Sequence, residues 1–127
     1  MVQYTMPRNY HLKGDTSLKE FSKHFQFEST KKTLIYVYSE NCYYCNIFND
    51  TWKKFCLEAH PDTTLIKIEI GAMSKLRDAH PKLFKVMTNM FSTTNGVPNI
   101  AKHISSTNRT YTFKGERTVI GLNAFLK

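Results

Sequence analysis

At 127 residues the chain has the length of one domain, enough to bury roughly two thirds of its unfolded surface without staples. Its hydrophobic content of 41%, with 13% aromatic residues, excludes a disordered polymer, and no run approaches the ~18 apolar residues of a helical membrane span. The net charge of +8 raises nucleic acid or an acidic partner. However, the basic residues are spread from Arg8 to Lys127 with only short pairs such as Lys31-Lys32 and Lys53-Lys54. With no aromatic-interleaved basic stripe and no nucleic-acid motif, a solvated basic surface accounts for the charge.

Residues 1–11 lack the apolar core of a signal peptide, so the expected location is the cytoplasm. In that reducing compartment three cysteines are reactive or buried thiols, not a disulfide framework. Tyr10-His11-Leu12 alternates weakly and predicts an edge strand. Ser17 with Glu20 forms a capping box, and Leu18, Phe21 and Phe25 follow at helical spacing, which predicts a first helix over 17–27. Thr33 to Tyr38 is nearly all apolar or aromatic, the pattern of a central strand buried on both faces.

Where that strand gives way to a helix stand Cys42 and Cys45, separated by Tyr43 and Tyr44. A thiolate at Cys42 would lie against the unpaired N–H groups and positive dipole end of the helix, which lower a thiol pKa from about 8.5 toward 7 or below. Cys45, one turn on, is near enough to close a disulfide. The pair reads first as redox-active; half of a metal site, or plain core cysteines, are the alternatives. A four-ligand zinc site needs two more partners, yet the only other cysteine is Cys56 and the histidines at 11, 24, 60, 80 and 103 show no paired spacing.

Cys45, Phe48, Trp52, Phe55, Cys56 and Ala59 recur at three and four, predicting a helix over 43–59 ended by His60-Pro61-Asp62. Cys56 then faces inward, about 16 Å along the axis from Cys45, too far to resolve a disulfide with it. Residues 64–70 alternate as a strand, parallel to 33–38 because a helix joins them. The segment 72–92 predicts two helical pieces joined near His80-Pro81. Asn95-Gly96-Val97-Pro98 is a turn leading to a hairpin of 99–104 and 110–113, and 118–126 makes a last helix.

This order, with Cys42-Tyr-Tyr-Cys45 opening the second helix, resembles the thioredoxin fold: α/β, a central mixed sheet flanked by helices on both faces. The resemblance covers about residues 9–126. Gly96-Val97-Pro98 is similar to the family's cis-proline loop, and Tyr111 to Thr118 followed by Leu122 to Leu126 is similar to the end of protein disulfide isomerase catalytic domains. The resemblance implies a thiol–disulfide oxidoreductase with Cys42 as nucleophile and Cys45 as resolving thiol. It also implies that Arg117 approaches Cys45, and that Tyr43, Tyr44, Val97 and Pro98 hold substrate. No cofactor beyond the redox-active disulfide and no metal is implied; the partners would be proteins carrying disulfides or dithiols, and an electron donor or acceptor.

Four departures stand out. Tyr36 occupies the position of the family's buried acid, which serves as proton acceptor for the second cysteine, and Asn41 that of the tryptophan before the first cysteine. The intervening dipeptide, Tyr-Tyr, has no histidine, so a couple of roughly −200 to −270 mV, in the thioredoxin–glutaredoxin range, is expected. The stretch from Cys45 to Pro98 is longer than in thioredoxins, with the excess around residues 71–82, where it would cap or extend the substrate groove. A glutaredoxin-like use of glutathione is the nearest rival, although the glycine pair and acidic residue that hold glutathione have no clear match. A non-catalytic binding module, or metal bridging of two chains through the cysteine pairs, are the rivals from other classes.

Overall fold

The computed structural model describes residues 8–127; most of the stretch read for a signal peptide lies outside them. Five strands form one mixed sheet in the order β1-β3-β2-β4-β5. β1 (Arg8–Leu12) and β2 (Lys32–Tyr38) both run parallel to β3 (Thr63–Glu69), whereas β4 (Asn99–Ile104) lies antiparallel to β2 and forms a hairpin with β5 (Arg109–Thr112). α2 (Tyr43–Glu58) makes the crossover from β2 to β3. The β-branched and aromatic run at β2 thus becomes the central strand, with every residue from Thr33 to Val37 almost fully buried.

Because strand side chains alternate in direction, β2 feeds two cores. Ile35 and Val37 pack with Phe21 and Leu18 of α1 (Asp15–His24) and with Leu83, Met87 and Met90 of α4 (Pro81–Thr93). Leu34, Tyr36 and Tyr38 pack on the other side with Phe48, Trp52 and Phe55 of α2 and Leu122 of α5 (Val119–Leu126). Each such apolar side chain contributes about 1.5–3 kcal/mol by leaving water. The crossover helix is therefore held along its length by its aromatic stripe, which fixes where its first turn sits.

α1 starts earlier than the capping box predicts. Gly14 is the cap residue and Ser17 sits inside the first turn, its Oγ accepting from the N–H of Gly14 at 3.1 Å and of Lys13 at 3.0 Å. Glu20 pairs with His24 at 3.6 Å on the exposed side instead of capping. The helix stops at His24, and Phe25 and Phe27 leave it to pack against His80, tilted and edge-on respectively.

The segment after β3 is a 3-10 turn, Ile70–Lys75, followed by the short α3 (Leu76–Ala79). His80 then breaks the chain direction, and its Nδ1 caps α4 by accepting the Leu83 N–H at 3.1 Å, with Pro81 at the first helical position. This is the segment around 71–82 singled out from the sequence. Ala72 and Leu76 bury into the α1 side of the sheet, so the segment builds core under α1 and α4. Among the described residues, no helix is long and apolar enough to cross a membrane.

Candidate active site

Cys42 is the cap residue of α2, in extended conformation, with its Sγ accepting the Cys45 N–H at 3.1 Å and its carbonyl accepting the Asn46 N–H at 3.0 Å. A sulfur in this place faces the orphan amides of the first turn, which favour negative charge there. Cys45 follows one turn later with a Cα separation of 5.1 Å, and the two sulfurs lie at disulfide distance. The partners are unequal. Cys42 is half-buried and reachable from solvent, while Cys45 is fully buried against Tyr36 and Phe48.

The loop before β4 closes over the pair. Gly96 takes a positive φ of 89°, the Val97–Pro98 peptide is cis, and the Val97 carbonyl oxygen lies 3.7 Å from Cys42 Sγ. Pro98 and Asn99 are buried, Asn99 tying the loop back by donating Nδ2–H to the Thr94 carbonyl at 3.0 Å. Tyr43 and Tyr44 project outward with 71% and 64% of their surfaces exposed, and Ile47 one turn on is 55% exposed. Together they make an apolar apron on the α2 side of Cys42.

Beneath Cys45 lies Tyr36. Its hydroxyl is shared between Asn49 Oδ1 at 2.8 Å and the carbonyl oxygen of Cys45 at 3.1 Å. Burial pushes this phenol well above its ordinary pKa, with Tyr38 adding to the rise and Arg117 opposing it. The hydroxyl is therefore a permanent donor at neutral pH. Arg117 itself is exposed in the loop between β5 and α5, near enough for its charge to act on Tyr36. Asn41 is exposed, and the single tryptophan, Trp52, instead packs on the Tyr36 ring from α2.

The site residues expected from sequence thus fall into two groups. Cys42, Cys45, Val97 and Pro98 converge, with Tyr43 and Tyr44 beside them; Arg117 lies exposed in the loop before α5 and touches none of them by a hydrogen bond or ion pair among the described residues. Asn49 and Ile47 were not anticipated. Asn49, four residues after Cys45, carried a helical-spacing signal, but only the crossing of α2 over β2 pairs it with Tyr36. Cys56 is free and buried, its thiol pushed up to about 11 by burial. No cluster of three or more His, Cys, Asp or Glu suited to a metal occurs among the described residues.

Among solved structures, the chain is similar to the J-Trx1 fragment of ERdj5, with 17% identity and a TM-score of 0.60 over 93% of this chain; it spans 49% of that fragment. It is similar also to the first thioredoxin domain of mouse protein disulfide-isomerase A4, with 19% identity and a TM-score of 0.55 over 90% of this chain and 69% of that one. A third likeness is to a mutant thioredoxin from Halobacterium salinarum, at 11% identity and a TM-score of 0.53, covering 99% and 97% of the two chains. No protein-family model and no curated protein sequence matches. At these identities the likeness is one of architecture: the chain has the thioredoxin fold, carrying a Cys-x-x-Cys pair at the start of α2.

Proposed function

We propose that this chain is a thiol–disulfide oxidoreductase acting on protein disulfides or dithiols, with residues 9–126 working as one unit. The observation that carries the reading is the asymmetry of the cysteine pair: one sulfur reachable at a helix N-terminus, the other sealed one turn behind it. In the reducing direction the Cys42 thiolate attacks a substrate disulfide, forming a mixed disulfide and expelling one substrate thiolate. The Cys45 thiolate then attacks Cys42 Sγ, closing the internal disulfide and releasing the second substrate sulfur as thiolate. Two electrons pass from the pair to the substrate, and an external dithiol must return them. The opposite direction uses the same bonds in reverse, and the compartment's redox poise selects between them; a cytoplasmic location would favour reduction.

In this reading the substrate segment lies along the Val97–Pro98 loop, pairing with its backbone, while Tyr43 and Tyr44 supply apolar contact. Arg117 would ease deprotonation of Cys45 from the Tyr36 side. The test is equilibration of the full chain in glutathione redox buffers, with the Cys42 pKa read from the pH dependence of alkylation. A reversible two-electron couple at roughly −200 to −270 mV and a depressed thiol pKa are expected. Cys45→Ser should accumulate a mixed disulfide that Cys42→Ser abolishes. Failure to form any reversible internal disulfide would overturn the proposal in favour of a binding module.

A further inference from the structure

The α2 face of the sheet is not apolar to its edge. On β3, Lys67 follows Leu65 on that face, and the parallel register sets His11 beside Lys67 and Asn9 beside Leu65. Polar side chains thus point toward a helix that elsewhere covers Leu34, Tyr36, Tyr38, Leu65 and Ile100. Above them, between α2 and the β1 edge, is a cavity of about 380 Å³, walled on the helix side by Trp52, Lys53 and Cys56 and rimmed by Leu57. Its volume falls in the range that holds small organic ligands, ~300–1,000 Å³.

The charges in and around this cavity are unbalanced. The Lys67 ammonium is half-buried, resting 4.7 Å from the centre of the Tyr38 ring, and makes no ion pair among the described residues; nor does Lys53. Burial and then the positive charge of Lys53 hold the Lys67 pKa below its ordinary value, and burial with Lys67 does the same to His11. The nearby carboxylates are engaged elsewhere: Glu40 pairs with Lys13 at 2.8 Å, and Glu69, two residues along β3, accepts the Gly71 N–H at 2.7 Å. With no ion-pair partner among the described residues, the half-buried Lys67 ammonium and the exposed Lys53 of the same cavity wall would be joined favourably by an anion. The wall opposite is aromatic and aliphatic, so the complement is an anion with an apolar body.

We propose that this cavity binds a small organic carboxylate, its head group on Lys67 and Lys53 and its apolar body against Trp52 and Leu57. The site is separate from the cysteine pair and stands whether or not that pair turns over. Trp52 is the chain's single tryptophan, so its fluorescence reports occupancy of this wall directly.

The test is a titration of the full chain with octanoate, octanol and octylamine at low salt. Trp52 emission would give Kd, and amide chemical shifts the location. Octanoate should saturate one site at least tenfold more tightly than octanol, a difference of about 1.4 kcal/mol, with octylamine weaker still and shifts confined to β1, β3 and α2. Lys67→Gln should weaken octanoate about tenfold and leave octanol unchanged. Lys53→Gln, on the exposed side of α2, should weaken it roughly threefold and keeps the test decisive if the Lys67 variant folds poorly. Equal affinity for octanoate and octanol, indifference to both lysine changes, or shifts centred elsewhere would overturn the proposal.

Discussion

Tyr36→Phe isolates what the buried hydroxyl contributes beneath the cysteine pair. The ring stays, packed edge-on against Phe48 and tilted against Trp52, so no large cavity opens and the change is confined to one oxygen. That oxygen serves Asn49 Oδ1 at 2.8 Å and the Cys45 carbonyl at 3.1 Å. The carbonyl keeps its place in the backbone ladder of α2, and Asn49 is only half-buried and turns to water. Neither acceptor is stranded, so the loss is that of one net hydrogen bond, about 1 kcal/mol, and not the larger penalty of an unsatisfied buried group. In the reduced protein this should lower Tm by roughly 3–5 °C. The hydroxyl touches a carbonyl and not a sulfur, so it should stabilise thiol and disulfide forms alike. The reduction potential should then move by less than about 10 mV, since 30 mV corresponds to about 1.4 kcal/mol for two electrons. Thermal melts of both redox forms, with glutathione equilibration of wild type and variant, measure both quantities. A potential shift above about 30 mV would refute the reasoning, because the hydroxyl would then discriminate between the states of the pair. A Tm unchanged within error would show that the hydrogen bond carries no net stability.

Gly121→Ala places a Cβ into the carbonyl oxygen of Glu116 across the cap of α5. Backbone cannot yield there as a flexible side chain would, so a loss of about 2–3 kcal/mol is expected by denaturant melts; a neutral result would mean the Arg117 loop is loosely held. Acid should also weaken the fold. His11, His80 and His103 each have pKa values lowered chiefly by burial, so the unfolded chain binds more protons below its ordinary histidine value of about 6.5. Stability is therefore complete above that value and falls as pH drops through it. Tm should decline between about pH 7.5 and 5.5, and His80→Ala, which removes the Nδ1 cap on Leu83 at a cost of about 1 kcal/mol, should flatten that decline. A Tm that holds or rises on acidification would contradict the sign.

The elements that periodicity reaches were legible: the buried central strand, the aromatic stripe of α2, the break at Pro81 and the hairpin of 99–104 with 110–113 all lie where the spacing of apolar residues puts them, within a residue or two. Local signals failed at the start of α1. Ser17 with Glu20 reads as a capping box, yet the helix begins at Asp15 with Gly14 as its cap, and Ser17 Oγ turns back onto the Lys13 and Gly14 amides. The cysteine pair was legible because its chemistry is local to one helix turn. The Tyr36–Asn49 contact and the Lys67 cavity were not, because each needs the angle at which α2 crosses the sheet. An alternating strand such as Leu65-Ile66-Lys67-Ile68 shows which residues share a face, but not that the helix stops short of β1.

The departures at position 36 and around the pair bear on the same step. Cys45 has no exposed surface, and no carboxylate is buried among the described residues. The group that touches its backbone is a phenol held protonated by burial. A donor of this kind orders the first turn of α2 but cannot take a proton near neutral pH. On the oxidoreductase reading, Cys45 must lose its proton to water, or to the substrate thiolate leaving in the first exchange. The chemistry is thereby weighted toward Cys42. On that reading, attack on the substrate is prepared by the helix amides, whereas release waits on a proton transfer for which the buried side offers no side-chain acceptor, only the charge of Arg117.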